Sequence, residues 1–200
     1  MPIEYLIPLI SYLLGSIPFG YILVRSTEGE DIRKTGSGNI GATNVYRKSR
    51  GAGIATLLLD AAKGYLAVVL AGWLGGDVVW LGVAAMFAIL GHIFTIWLRF
   101  KGGKGVATGC GAYLALSPLA VLTTLVVFIL VLACTRYISA ASIAATALFP
   151  VWAWLYGYPV SVVLWAALGG LLIIVKHQQN ISRLLNHTEN KFSSGGKRAG

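Results

Sequence analysis

The chain alternates long apolar runs with short polar ones, and the apolar runs have bilayer lengths. Residues 3–24 are mostly apolar, and about 22 residues at about 1.5 Å each cross a hydrocarbon core about 30 Å thick. Residues 54–74 and 78–98 repeat that length. They are joined by Gly75-Gly76-Asp77, a turn without Lys or Arg, flanked by Trp73 and Trp80 as interfacial anchors. Pro8 and Pro18 predict bends in the first run, tolerable in a membrane helix whose neighbours re-satisfy the freed carbonyls. That run begins with Glu4 and ends at Arg25, so an uncleaved span with its N-terminus outside is expected, not a signal peptide with a positive start.

Topology is ambiguous after Phe100. Residues 106–116 make only about 16 Å of helix, Ser117-Pro118 breaks it, and residues 119–135 then run apolar for about 26 Å. As one kinked span, residues 105–135 would leave Arg136 and Lys176 on opposite faces. As a short helix and a returning one, they bring Arg136 back to the cytoplasm. Spans at 137–156 and 159–176 then put Gly157-Tyr158 outside and the tail inside, with every Lys and Arg except Lys63 on the cytoplasmic side. We adopt the second arrangement. It is an all-α polytopic membrane protein, a seven-helix transmembrane bundle whose fourth helix is short, N-terminus outside and C-terminus cytoplasmic. A short helix is acceptable where neighbours shield it from lipid.

Composition agrees with one membrane domain over residues 1–192. Fifty-six per cent of the 200 residues are hydrophobic and 12% charged, with a mean hydropathy of +0.75. The formal charge of +9 follows the positive-inside pattern, and no basic stripe with interleaved aromatics points to nucleic acid. Cys110 and Cys134 lie in apolar runs without a CxxC or a nearby His, and read as packed thiols. The low-complexity SSGGKRAG of residues 193–200 is expected to be disordered. No internal repeat supports inverted-repeat transport logic.

Three polar stretches emerge on the cytoplasmic side. The first contains Gly36-Ser-Gly-Asn-Ile-Gly41, a literal GxGxxG; charged Asp31-Ile-Arg-Lys precedes it where a dinucleotide fold needs a buried strand, so it reads as a ligand-shaping turn. The second, Lys101-Gly-Gly-Lys104-Gly-Val-Ala-Thr108, is an anion-binding turn. Gly102, Gly103 and Gly105 allow backbone N–H groups to approach an oxyanion, Lys104 adds charge, and a helix starting near Val106 points its positive end there. Gly105 after the lysine excludes a Walker A loop. The third runs from His177 to Glu189. Arg47 offers bidentate phosphate recognition, and Ser37, Asn39, Asn44 and Asn180 offer neutral hydrogen bonds to hydroxyls. Two phosphate-binding elements imply two phosphorylated ligands; the bland alternative is solvated juxtamembrane residues. In the second span Asp60 and Lys63 share a helical face and are expected to neutralise each other, and His92 reads as a satisfied core histidine.

GSGNIGATNVYR (36–47), KGGKGVATGCGAYLAL (101–116), TRYISAAS (135–142) and HQQNISRLLNHTENKF (177–192) closely resemble, in order, the bacterial membrane glycerol-3-phosphate acyltransferases that use acyl phosphate, the PlsY family. The resemblance spans nearly the whole chain. It implies a seven-helix bundle in the bacterial plasma (inner) membrane with its site on the cytoplasmic face. It also implies transfer of an acyl group from acyl phosphate to position 1 of glycerol 3-phosphate, giving lysophosphatidic acid and phosphate. By the same resemblance Ser37, Thr43, Asn44 and Arg47 belong to the site, Lys104 with its glycines binds phosphate, and Ser142 contacts substrate. Lys104, His177, Asn180 and Arg47 are the expected catalytic group, and Glu189 the residue that holds the tail. The partners implied are the two substrates and membrane lipid, with a monomer expected and neither cofactor nor metal.

An acyl phosphate is a mixed anhydride, already activated, so the protein chiefly aligns a hydroxyl with the carbonyl and stabilises charge. HxxxxD is absent: His92, His177 and His187 are followed five residues later by Trp97, Ser182 and Phe192. Deprotonation of the hydroxyl is therefore expected to use a substrate phosphate oxygen, with His177 and Asn180 orienting glycerol 3-phosphate. Two other classes compete. A transporter or flippase for a phosphorylated solute would rest on Asp60 and Lys63 alone, and an anchoring subunit would not need two glycine-rich turns on one face.

Overall fold

The computed structural model describes residues 2–192, so the tail expectation for 193–200 lies outside the described residues. Among these there are ten α-helices and no strand: α1 Ile7–Ser16, α2 Phe19–Glu28, α3 Ala42–Lys48, α4 Arg50–Trp73, α5 Val78–Ile93, α6 Val106–Leu116, α7 Pro118–Thr135, α8 Ile138–Leu155, α9 Val160–Val175 and α10 Gln178–Leu185. Five stretches are long and apolar enough to cross a membrane: Ile3–Glu28, Arg50–Trp73, Val78–Leu98, Pro118–Thr135 and Ile138–Leu155. Helix α9 is shorter and meets α10 at a bend of 58°.

The local chemistry explains the differences from the sequence reading. The first run is split at Ile17-Pro18 into α1 and α2, as Pro18 requires, whereas Pro8 sits harmlessly in the first turn of α1. The third span stops being α-helical at Ile93 and finishes as a 3-10 turn at Ile96–Leu98. The first polar stretch carries α3 and the tail carries α10. Both are short and polar, and they owe their order to what they pack on, not to their own periodicity. Cys110 is partly buried, but Cys134 is on the exposed face of α7 and is not a packed thiol.

Side chains are distributed as lipid demands. Leu57, Leu58, Leu122, Val126, Ile129, Leu130, Leu164, Leu168 and Leu171 face outward, while Ala67, Ala71, Ala84, Ala85, Ala88, Ala112, Ala141, Ala145, Ala153 and Ala166 fill the interior. With lipid as apolar as leucine, helices gain by close van der Waals approach, and small residues permit it. Helices α4 and α5 form the centre. The first touches α1, α3, α5 and α6, the second α1, α4, α6 and α9, and α8 joins α7 to α9. The α4–α6 contact is the tightest: a methyl group on Gly111 would stand 1.8 Å from the Ala61 carbonyl oxygen, and one on Gly64 2.0 Å from that of Thr108. Between this pair and α7, α8 and α9 the bundle surrounds an open cavity of about 860 Å³.

The glycine contact supports a direct test. Gly111→Ala forces backbone apart and should destabilise the bundle by about 1–3 kcal/mol, read as a lower thermal midpoint in detergent. An unchanged midpoint would mean that α4 and α6 separate without loss.

Candidate functional site

The cavity is polar where α3, the Lys101–Gly105 turn and α10 meet, and apolar where α6, α7 and α8 close it. Ser37, Asn39, Thr43, Asn44, Arg47, Lys104, Gly105, Ser142, His177, Asn180 and Glu189 line it, together with Tyr113, Val121, Leu125, Phe128 and Phe149. Three stretches more than thirty residues apart in sequence therefore share one space.

The first loop is built around Asn44, which is buried. Its amide donates to the carbonyls of Thr35 at 3.1 Å and Asn39 at 2.9 Å, and its Oδ1 accepts the Ser37 N–H at 3.0 Å. This spends the hydrogen-bonding capacity that the sequence reading offered to a substrate hydroxyl, so Asn44 shapes the loop from within. Asn39 is partly committed too, accepting the Gly41 N–H at 2.8 Å. The loop in turn orients α3, on which Thr43 and Arg47 face the cavity. Arg47 is exposed, and among the described residues it has no ion-pair partner, which leaves its guanidinium free for an anion.

The glycine-rich turn works differently from a simple cradle. The Gly102 and Gly103 N–H groups donate to the Ile93 and His92 carbonyls, each at 3.0 Å, so they bind the turn to the end of α5 and are not available to a ligand. Neither residue lines the cavity, whereas Lys104, Gly105, Val106 and Ala107 do. Gly105 has φ 92°, a conformation that L side chains rarely adopt, and it starts α6 so that the helix opens at the cavity. The N–H groups of the first turn of α6 have no intrahelical acceptor and open toward the cavity, the arrangement that suits an oxyanion.

Lys104 Nζ donates to Asn180 Oδ1. Asn180 Nδ2 passes the contact to Glu189 Oε1 at 2.7 Å, which also accepts Ser139 Oγ at 2.8 Å, and Glu189 Oε2 accepts Arg183 Nε at 2.6 Å. Burial tends to raise the Glu189 carboxyl, but hydrogen bonds from Arg183, Asn180 and Ser139 outweigh it and hold the group below the usual carboxylate range. Burial pulls Lys104 down to about 8; Glu189 opposes the shift, while the positive Arg183 and Arg47 favour it. Buried His177 is held at about 4, chiefly by burial and then by the Lys104 charge. Its Nδ1 meets the Ile173 carbonyl at 2.8 Å and must donate there, which leaves Nε2 as a lone-pair acceptor on a neutral ring.

Sequence reasoning missed Ser139 and had Arg183 only as a polar tail residue. Ser139 lies within TRYISAAS, and Arg183 is six residues before Glu189, but neither spacing announces a shared carboxylate. Arg50, Lys191 and Phe192 also line the cavity. Phe192 reaches it because the tail folds back, its N–H bonded to the Arg136 carbonyl at 2.6 Å and its ring 6.0 Å from Tyr46. His92, read as satisfied, has its buried Nδ1 without a hydrogen-bond partner.

Comparison with known proteins adds the following. Residues 5–187 match the family model for glycerol-3-phosphate acyltransferase. The chain is 47% identical over 192 residues to a Geobacter sulfurreducens protein of that name, covering 96% of this chain and 98% of the other. It is 43% identical to one from Ehrlichia chaffeensis, covering 98% and 100%. Among solved structures it is similar to PlsY (YgiH), an integral membrane glycerol 3-phosphate acyltransferase. To the glycerol 3-phosphate form it is 38% identical with a TM-score of 0.90, covering 96% of both chains. To the lysophosphatidic acid form it is 36% identical with a TM-score of 0.87, again covering 96% of both.

The Glu189 contacts predict that Glu189→Ala releases the tail. Loss of hydrogen bonds to a charged group costs about 1.5–3 kcal/mol, so amide exchange over residues 178–192 should accelerate while α4 and α5 stay protected. Equal exchange in both proteins would show that the carboxylate does not hold the tail.

Proposed function

The chain belongs to the integral-membrane glycerol-3-phosphate acyltransferase family, and from that premise we propose that its acyl donor is an acyl phosphate and its acceptor the 1-hydroxyl of glycerol 3-phosphate. The hydroxyl oxygen bonds to the acyl carbon, the bond from that carbon to the phosphate oxygen breaks, and the hydroxyl proton leaves on a phosphate oxygen. Lysophosphatidic acid and inorganic phosphate are the products, and the reaction begins phospholipid synthesis. The observation that carries this reading is one cavity joining a cationic end to an apolar end. The first suits two phosphates and the second an alkyl chain.

Each residue has a task in that reaction. Arg47 binds one phosphate through its free guanidinium. Lys104 and the first turn of α6 bind the other and stabilise negative charge as phosphate departs. Ser37, Thr43 and Ser142 contact the substrates, and Asn180 holds Lys104. Neutral His177 accepts a hydrogen bond from the acceptor hydroxyl at Nε2 and orients it, while substrate phosphate takes the proton. The acyl chain lies along Leu125, Phe128 and Phe149 and enters sideways from the inner leaflet. In the same reading the chain is a monomer of seven crossings in the bacterial plasma membrane, N-terminus outside, with the site cytoplasmic.

Purified protein in lipid, given acyl phosphate and glycerol 3-phosphate, should release phosphate in step with lysophosphatidic acid. Equal or faster turnover with acyl-CoA or acyl carrier protein thioesters would overturn the donor assignment, and no product from any donor would overturn the activity. Lys104→Ala should lower kcat/KM by about 10²–10³-fold.

A pH profile adds a second check. Lys104 is charged below about 8, so kcat/KM should fall as pH rises through that value. His177 is neutral above about 4, so it adds no loss between pH 7 and 5. Lys104→Arg should push the alkaline limb upward, and an unmoved limb would remove Lys104 from its origin.

A further inference from the structure

Against the glycine-rich turn lies a charged cluster that the reaction leaves unused, with Asp60 and His92 at the cavity wall and Lys63 behind them. Asp60, Lys63 and His92 are each at most 4% exposed. Lys63 Nζ is 2.8 Å from Asp60 Oδ1 and donates to the Ile17 carbonyl at 2.7 Å, at the break between α1 and α2. His92 Nδ1 faces the same Asp60 oxygen at 3.6 Å, and its other edge meets the turn: a methyl on Gly103 would stand 2.0 Å from Nε2. The His92 carbonyl accepts the Gly103 N–H, and the next carbonyl, of Ile93, accepts that of Gly102. The residue immediately before Lys104 is thus pressed against the ring and tied to the backbone of one histidine, and that ring faces one carboxylate at 3.6 Å, close enough for its charge to act but beyond hydrogen-bond reach.

Neutralisation explains why Asp60 and Lys63 tolerate burial. It does not explain why the pair is there, because a buried ion pair is seldom more stabilising than apolar packing of the same volume. Nor does it explain a histidine between the pair and the turn. We propose that Asp60 and His92 are positioning residues for the Lys104 turn: Asp60 fixes the His92 ring, and His92 fixes Gly103 so that Lys104 starts toward Asn180 and the anion. This rests on the reading of that turn as a phosphate site.

The test compares unsubstituted protein in lipid with His92→Gln, Gly103→Ala, and Asp60→Asn combined with Lys63→Met, which keeps the cluster neutral. Lys104 is labelled with acetic anhydride across a series of glycerol 3-phosphate concentrations, and modification is read by mass spectrometry beside the thermal midpoint. Each folded variant should need at least about tenfold more glycerol 3-phosphate to protect Lys104. In a double-mutant cycle, the loss of glycerol 3-phosphate affinity in His92→Gln should largely vanish when Lys104 is already alanine. Protection of the unsubstituted protein and the variants at the same concentration would overturn the positioning role alone. No protection even in the unsubstituted protein would remove the phosphate reading beneath it. Additive losses in the cycle, or failure of all three variants to fold, would make the cluster a structural element and overturn the proposal.

Discussion

The contact between the Lys104 ammonium and the Asn180 carbonyl oxygen joins the turn before α6 to the helix after α9, and the polar half of the cavity depends on it. A lysine in a partly dry space beside Arg47 and Arg183 is repelled by both. What keeps it charged and in place is a carboxylate one side chain further on, Glu189, itself satisfied by Ser139, Asn180 and Arg183. In the proposed reading the arrangement offers a phosphate a preformed positive field without leaving a buried charge unpaired. It also explains why a polar tail helix belongs to a membrane enzyme: α10 supplies the side chains that set the lysine.

The bilayer imposes the second constraint. Every backbone group inside it needs an internal partner, so irregular chain is tolerated only where protein surrounds it. The two irregular places follow that rule. At the break in the first span, the Ser16 and Ile17 carbonyls receive Thr95 Oγ1 and Lys63 Nζ. At the glycine-rich turn, Gly102 and Gly103 are bound to the end of α5. The Asp60 cluster lies between these places, so one buried group of charges serves both. This use of Asp60 and Lys63, in contact with a helix break and a neighbouring histidine, accounts for them without the transport role that was their other reading.

Little is asked of such a site chemically. The proposed acyl-phosphate donor would carry its activation with it, so a neutral histidine, two cations and the open end of a short helix would suffice to align and stabilise. In the same reading the apolar end of the cavity supplies the remaining need, a place for an alkyl chain beside the polar one. Helices α4 and α6 can wall it because Gly64 and Gly111 let them touch closely.

The sequence by itself determined that this is a helical membrane protein, where α6, α7, α8 and α9 begin and end, and which polar stretches meet at one cavity. Those properties are local: span length, proline and glycine positions, and the placement of Lys and Arg are read one segment at a time. The pairing of Asp60 with Lys63 was legible for the same reason, being a three-residue spacing on one helix. What the tertiary structure alone decided is which groups remain free to act. Asn44, Gly102 and Gly103 have their polar groups spent inside the fold, Ser139 and Arg183 converge on Glu189, and His92 stands between a buried carboxylate and the turn. Each depends on partners from distant parts of the chain, and a hydrogen-bonding group can be assigned to ligand or scaffold only when all its neighbours are known.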